Sequence, residues 1–418
     1  MYSSCGDLNA ARMVFERLER KDIVSWNAMI ASYAQHGYMK QAFKIFSDMS
    51  PRNLISWNTV IYGFQLNGFA AKGLEHFSVL LLSRLRPNVY TLSIVLSICA
   101  SISSLRHGKQ VHGYIIKQGL FSEALLGNAL ISMYAKSGVL DLCLRVFNSL
   151  TAISKDVVSW NSLISAYAQH GEGKTAVRCF EAMLDSGRVQ PDQLTFVSAI
   201  SSCSCARSGH QVHAQAIMMG FELCTSVSNA AVTMYSSCGD LNAARMVFER
   251  LERKDIVSWN AMIATYAQHG EGKRAVCCFE AMLDSGMVQP DQVTFTSVLS
   301  ACSHSGLLRT ELRFFNSMLR NYGLQPGEDH FSCIVDLLCR AGYLDEAERL
   351  LNGKHIEFNS NTWWALFSCC AAHGNLRLGR TVAGFLLEKE QNNPAVYVQL
   401  SNIYANAGQW EEGKKQLT

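Results

Sequence analysis

The feature that most constrains this chain is that it repeats itself. Residues 1–37 and 234–270 are identical at every position except Ser32 against Thr265. A second echo aligns residues 157–192 with 256–291, both carrying Tyr-Ala-Gln-His-Gly-Glu-Gly-Lys and Phe-Glu-Ala-Met-Leu-Asp-Ser-Gly. The weaker copies define the unit. Ser-Trp-Asn ends at Asn27, Asn58, Asn161 and Asn260, with Gly127-Asn128 and Ser228-Asn229 as degenerate versions. The spacing is 31 residues from Asn27 to Asn58, 33 from Asn128 to Asn161 and 31 from Asn229 to Asn260. Longer intervals hold a second kind of unit, marked by Tyr90-Thr91-Leu92, Leu194-Thr195-Phe196 or Val293-Thr294-Phe295. Self-similarity at such periods argues for an array of stacked units and against one closed core.

Each unit reads as two helices. Trp26, Met29, Ile30 and Tyr33 fall at i, i+3, i+4 and i+7, which places them on one apolar stripe. Gly37 follows where a left-handed residue ends a helix. Ala42, Ile45, Phe46 and Met49 repeat the spacing in the second helix. Two helices this short cannot bury both stripes by themselves, whereas stacked neighbours can. The fold class expected is therefore all-α, a right-handed superhelical solenoid of stacked helix-turn-helix repeats.

Composition agrees and excludes other classes. Hydrophobic residues make up 49% and charged residues 17%, which is packed rather than disordered. The 6 prolines and 29 glycines suit short helices separated by turns. A net charge of +3 does not by itself point to a polyanionic partner. The 15 cysteines lie within helical patterns, as in Cys179-Phe180 and Cys277-Cys278-Phe279, and are expected to be reduced core residues. No apolar run reaches about 18 residues, so no membrane partner is expected.

These units resemble the pentatricopeptide-repeat family, in its plant subclass with mixed P, L and S repeats. The resemblance delimits a partial S repeat at 1–22, then S 23–53, P 54–88, L 89–123, S 124–156, P 157–192, L 193–224, S 225–255, P 256–291, L 292–327 and S 328–359. Ala301 to Leu307 looks like a last L repeat and Val335 to Gly342 like a last S repeat. Residues 360–393 and 394–418 look like two E motifs, on Ala371-Ala372-His373-Gly374-Asn375 and Leu400-Ser401-Asn402-Ile403-Tyr404-Ala405. The chain begins inside a repeat, Met1 taking the place of Met234, and ends inside the second E motif. It reads as truncated at both ends, with no transit peptide in this chain. The resemblance implies a mitochondrial or plastid location.

The resemblance also implies a function: binding single-stranded RNA one base per repeat. Two side chains per repeat would read the base edge, one beside the core Trp and one at the end of the repeat. The implied pairs are Asn27 with Asn53 and Asn58 with Asn88 for a pyrimidine. Asn128 with Asp156, Asn161 with Asp192, Asn229 with Asp255 and Asn260 with Asp291 would read uracil, and Ser332 with Asn359 adenine. Val24, Ile55, Val158 and Val257 would stack on the base. The L repeats carry Ser93 with Glu123, Val197 with Cys224 and Thr296 with Gly327, which form no standard pair and look like spacers. The alternative for the Asn and Asp residues is purely structural, as helix caps. The Trp residues are expected in the core, not as stacking platforms.

Two rivals were weighed on the residues. A tetratricopeptide array keeps a fixed 34-residue period, which the alternating spacings contradict. A zinc deaminase, found at the end of many relatives, needs His-x-Glu followed by Pro-Cys-x-x-Cys. His355-Ile356-Glu357 supplies the first half, but the cysteines after it, Cys369 and Cys370, are adjacent. The chain is therefore expected to be no enzyme and to carry no cofactor or zinc. The resemblance implies selection of an organellar transcript site for C-to-U editing, with a DYW-type deaminase or other editing factor engaged through the E motifs. The alternatives are RNA processing or stabilisation by occupancy of the site, a protein-binding helical scaffold, and a non-functional truncated copy.

Overall fold

The computed structural model describes residues 8–83, 85–121, 123–151, 154–352, 360–390 and 393–409. Among them there are α-helices and no strand. Asn359 and residues 355–357 lie outside the described residues. The chain divides into two compact units, residues 1–203 and 204–418. The first holds α1 (Leu8–Arg17), α2 (Ile23–Gln35), α3 (Met39–Asp48), α4 (Leu54–Leu66), α5 (Ala70–Leu82), α6 (Val89–Ser101), α7 (Leu105–Lys117), α8 (Ala124–Lys136), α9 (Leu140–Ser149), α10 (Val157–Gln169), α11 (Gly173–Ser186) and α12 (Gln193–Ser201). The second holds α13 (Ala206–Met218), α14 (Thr225–Ser237), α15 (Leu241–Arg250), α16 (Ile256–Gln268), α17 (Gly272–Ser285), α18 (Gln292–His304), α19 (Leu308–Arg320), α20 (Glu328–Arg340), α21 (Leu344–Asn352), α22 (Ser360–His373), α23 (Leu376–Lys389) and α24 (Pro394–Asn406).

Local chemistry sets the ends of the hairpin helices. The residue before α2, α4, α6, α10, α12, α16 and α18 is Asp or Asn, and its side chain accepts the backbone N–H three residues on. At α4, α6, α12, α16 and α18 the Ser or Thr three residues on returns the bond, closing a capping box. At the other end, Gly37 has φ 83°. Its N–H donates to the Ala34 carbonyl at 3.2 Å, and the Tyr38 N–H donates to Tyr33 at 2.9 Å. That is a Schellman closure, which needs a left-handed residue at Gly37.

Within each unit the even-numbered helices stack in sequence, and α2, α4, α6, α8 and α10 in the first unit and α14, α16, α18, α20 and α22 in the second each also pack on the helix that follows. Phe46 meets Trp57 edge-to-face at 4.9 Å, Phe147 meets Trp160 at 4.6 Å and Phe248 meets Trp259 at 5.1 Å. Each contact joins the second helix of one hairpin to the first helix of the next, and the three Trp residues are buried. The approach is close. A Cβ placed on Gly63 of α4 would come within 2.9 Å of the Ala34 Cβ of α2. In the second unit one apolar cluster runs from Phe331 in α20 through Leu366 and Leu386 to Tyr404 in α24.

Two details differ from the sequence expectation. Cys205 and Cys277 are exposed, so the cysteines are not uniformly core. Cys277 and Cys278 lie about 100° apart on their helix, and only Cys278 faces the stripe. Glu311 in α19 is also fully buried. Its place in the hairpin, the fourth residue of the second helix, is Ala11, Ala42, Gly73, Gly108, Cys143, Ala176, Gly209, Ala244, Ala275, Ala347 and Gly379 elsewhere among the described residues. Neither Glu311 carboxyl oxygen has a hydrogen-bond partner among the described residues. Burial, with the Asp336 carboxylate adding to it, pushes the Glu311 carboxyl up to about 9, so it is protonated at neutral pH.

Candidate nucleic-acid interface

The Asn of each Asn-containing hairpin is the fifth residue of its first helix: Asn27, Asn58, Asn128, Asn161, Asn229 and Asn260. Ser332 holds the same place in α20. The residue ending each unit is the one just before the next first helix, and so it is also that helix's N-cap. Asn53, Asn88, Asp156, Asp192, Asp255 and Asp291 all cap in this way. The residues implied to end each reading pair are thus helix caps in the structure.

The geometry brings four Asn–Asp pairs together. The Nδ2 of Asn161 donates to Asp192 Oδ1 at 2.9 Å, Asn229 to Asp255 at 3.2 Å, Asn260 to Asp291 at 3.2 Å and Asn128 to Asp156 at 3.4 Å. Asn58 and Asn88 are linked through the Thr91 hydroxyl, 2.7 Å from the first and 2.9 Å from the second. The structure shows no hydrogen bond between Asn27 and Asn53. Ser332 Oγ lies 2.7 Å from Thr362 Oγ1, and its implied partner Asn359 is outside the described residues.

Asp192 shows the electrostatics. Its Oδ1 accepts the Thr195 backbone N–H at 2.9 Å and lies 2.9 Å from the Thr195 hydroxyl, besides receiving Asn161. Burial raises the Asp192 carboxyl, but these hydrogen bonds outweigh it and hold the group below the usual carboxylate range. Asp255 and Asp291 are depressed for the same reason, with Ser258 and Thr294 in the place of Thr195. The carboxylates are therefore ionised at neutral pH. The bonds from Asn161 and Thr195 all end on Oδ1.

The implied stacking residues occupy the second position of their helices. Val24, Ile55, Val158 and Val257 are all exposed, at 71%, 62%, 51% and 55%. Between Val158 and the matching Leu194 lies a cavity of about 300 Å³, whose walls include Asn161, Ser162, Asp192 and Lys136. It sets two apolar side chains, an amide, a carboxylate and an ammonium around one small space. A second cavity of about 330 Å³ surrounds Ser332, with Thr296, Asp329, Asp336 and Thr362.

Sequence reasoning missed the third residue of each first helix. Ser159, Thr195, Ser258 and Thr294 touch both the cap and, in three of the four cases, the preceding Asn. The signal was present, since Asp or Asn followed three residues later by Ser or Thr is the spacing of a reciprocal cap. Among the described residues no group of three or more His, Cys, Asp or Glu is placed to hold a metal, and no helix is long and apolar enough to cross a membrane.

Comparison with known proteins agrees with this organisation. The PPR repeat family matches residues 21–55, 155–205 and 254–304, with further PPR repeat matches at 128–152, 226–256, 293–322 and 322–353. The E motif matches residues 373–416. A putative pentatricopeptide repeat-containing protein of Arabidopsis thaliana is 36% identical over 99% of this chain and 56% of its own length. A mitochondrial relative from the same plant is 34% identical over 98% of this chain and 50% of its own length. A chloroplastic one is 34% identical over 99% of this chain and 45% of its own length. The chain thus spans about half the length of the curated relatives it matches. Among solved structures, the pentatricopeptide repeat protein PPR10 from maize covers the whole chain with a TM-score of 0.69 at 17% identity, using 66% of the PPR10 chain. PPR10 in complex with an 18-nt psaJ RNA element covers the whole chain with a TM-score of 0.64 at 17% identity, using 72% of that chain.

Proposed function

This chain belongs to the pentatricopeptide-repeat family, and we propose that it binds single-stranded RNA sequence-specifically, one base per repeat. The observation that carries this reading is the cavity between Val158 and Leu194, where Asn161 and Asp192 converge beside Lys136. Two apolar faces accept a flat base between them. An amide supplies a donor and an acceptor for its edge. The ammonium suits the phosphate beside it.

The Asn–Asp chemistry favours uracil. Uracil presents an N3–H where cytosine presents a bare nitrogen, and an ionised carboxylate accepts that hydrogen directly or through a water. Taken in chain order, the repeats specify 5′-Y-Y-N-U-U-N-U-U-N-A-3′. The L repeats contribute the unread positions. Helices α22, α23 and α24 of the E-motif segment continue the stack after the last S repeat, and their role in this reading is to engage a DYW-type deaminase or another editing factor. The biological task is then selection of an organellar transcript site for C-to-U editing, with the deaminase supplied by the partner. The relatives named mitochondrial and chloroplastic support an organellar setting.

The test is binding of the purified chain to single-stranded RNA of that sequence and to the duplex of the same sequence. A duplex hides the base edges, so the single strand should bind more tightly. Equal binding to both would remove base reading and leave charge alone.

A further inference from the structure

The Asn–Asp pairs are chemically alike but not hydrogen-bonded alike, and the third residue of the following helix makes the difference. The Thr195 hydroxyl donates to Asn161 Oδ1 at 2.6 Å, Thr294 to Asn260 at 2.6 Å, Thr91 to Asn58 at 2.7 Å and Ser159 to Asn128 at 2.7 Å. At two other places this bond is missing. The Ser258 hydroxyl reaches only Asp255 Oδ1 at 2.8 Å and the Ser56 hydroxyl only Asn53 Oδ1 at 2.9 Å, whereas Thr195 and Thr294 keep the cap contact at 2.9 and 2.8 Å as well as the Asn. Asn229 Oδ1 and Asn27 Oδ1 are then buried with no hydrogen-bond partner among the described residues. The threonines at this position all make the contact, while only one of Ser56, Ser159 and Ser258 does. All of these hydroxyls reach their own cap, so what separates the sites is the second contact, to the preceding Asn; threonine's stiffness about χ1 favours keeping its hydroxyl between the two oxygens.

The bond restrains an amide that has two faces. With Oδ1 held by the Thr195 hydroxyl and Nδ2 held by the Asp192 carboxylate, Asn161 offers the base one fixed lone pair and one fixed N–H. Asn229 keeps only the Nδ2 contact, at 3.2 Å, and its oxygen is unrestrained.

We propose that the hydroxyl of the third residue of the following helix is a positioning group that sets how sharply an Asn–Asp pair tells uracil from cytosine. The pairs at Asn161 and Asn260 then discriminate strongly, and the pair at Asn229, with the same two residues, discriminates weakly. This rests on the base reading proposed above.

The experiment uses the full chain and the ten-letter single-stranded RNA, with the uracil opposite Asn161, Asn260 or Asn229 replaced by cytosine one at a time. One net hydrogen bond is worth about two- to tenfold in an affinity ratio. The uracil-to-cytosine ratio should be larger by about that factor at Asn161 and Asn260 than at Asn229. Thr195→Val, close in shape but lacking the hydroxyl, should lower the ratio at Asn161 and leave it unchanged at Asn260. Ser258→Thr should raise the ratio at Asn229, a gain that no folding defect can imitate. Equal ratios at the three bases, or ratios untouched by both variants, overturn the positioning role while leaving base reading intact. A lowered melting temperature for Thr195→Val with an unchanged ratio also overturns it. Absence of any uracil preference at all three bases brings down the base reading and this inference together.

Discussion

The Oδ1 of Asp192 caps the helix that begins one residue later and, in the same place, takes the amide of Asn161 from the helix of the preceding hairpin at 2.9 Å. A single oxygen therefore ties α12 to α10. Structural and recognition roles are separable at this residue by the right substitution.

Asp192→Asn keeps the cap, since Asn and Asp cap helices about equally well, but removes the obligate acceptor. The melting temperature should barely move. The preference for uracil over cytosine opposite Asn161 should fall by roughly ten- to hundredfold, the worth of one well-made edge contact. Affinities for two RNAs differing only at that base, beside a thermal melt, check both halves. An unchanged ratio would reduce Asp192 to a cap and undo the register of the other pairs.

Trp160 and Val158 lie two residues apart and should behave in opposite ways. Trp160 is buried against Phe147, so Trp160→Ala should cost about 3–5 kcal/mol in a urea titration. Val158 is exposed at the cavity mouth, and Val158→Ala should stay within about 0.5 kcal/mol of the parent yet weaken RNA binding. A Val158→Ala variant with normal RNA affinity would remove the stacking role.

Glu311 should make the chain less stable as pH rises. Its carboxyl keeps a proton up to about 9 in the folded chain, whereas an unfolded Glu releases it near 4.3. The unfolded state therefore sheds protons first, and stability declines across the interval between those values. Glu311→Ala restores the small residue found at the other eleven described places. It should flatten that decline and stabilise the chain at pH 8 by about 1–3 kcal/mol, the cost of an unpartnered buried polar group. Urea midpoints at pH 5 and pH 8 test this, and a less stable Glu311→Ala chain at pH 8 would contradict it.

On the acid side the sign reverses. Asp192, Asp255 and Asp291 are held below the ordinary carboxylate value. Their contribution is complete above the unfolded value of about 3.9 and is lost as pH falls through the lower folded values. The urea midpoint should drop between pH 5 and pH 3, and less steeply once all three are replaced by Asn. A triple variant with an unchanged acid slope would place that loss elsewhere.

Much of the hairpin architecture was legible in the sequence, because helical spacing such as Trp26, Met29, Ile30 and Tyr33 and the glycine at 37 act over a few residues. What could not be read depends on which way a side chain turns. Ser159 and Ser258 stand in the same motif, yet only the first bridges to the preceding Asn. Glu311 sits in a polar-looking run, Arg309-Thr310-Glu311-Leu312-Arg313, and reads as a solvated charge until its position is aligned with the small residues of the other hairpins. Cys277 and Cys278 look alike in sequence and part company by one step around the helix.

The doubled duty of the residue that ends each unit limits how such an array can be rewritten. Only short polar side chains, such as Asn, Asp, Ser and Thr, close a helix start efficiently. Under the proposed reading, the same short list is the vocabulary available for the second reading position. Exchanges within it alter the message and spare the scaffold, whereas Glu123 and Cys224, which end L units, make no side-chain cap bond. A new binding preference at these sites is therefore reached through substitutions the fold barely feels, and the recognition surface can drift while the stack beneath it stays intact.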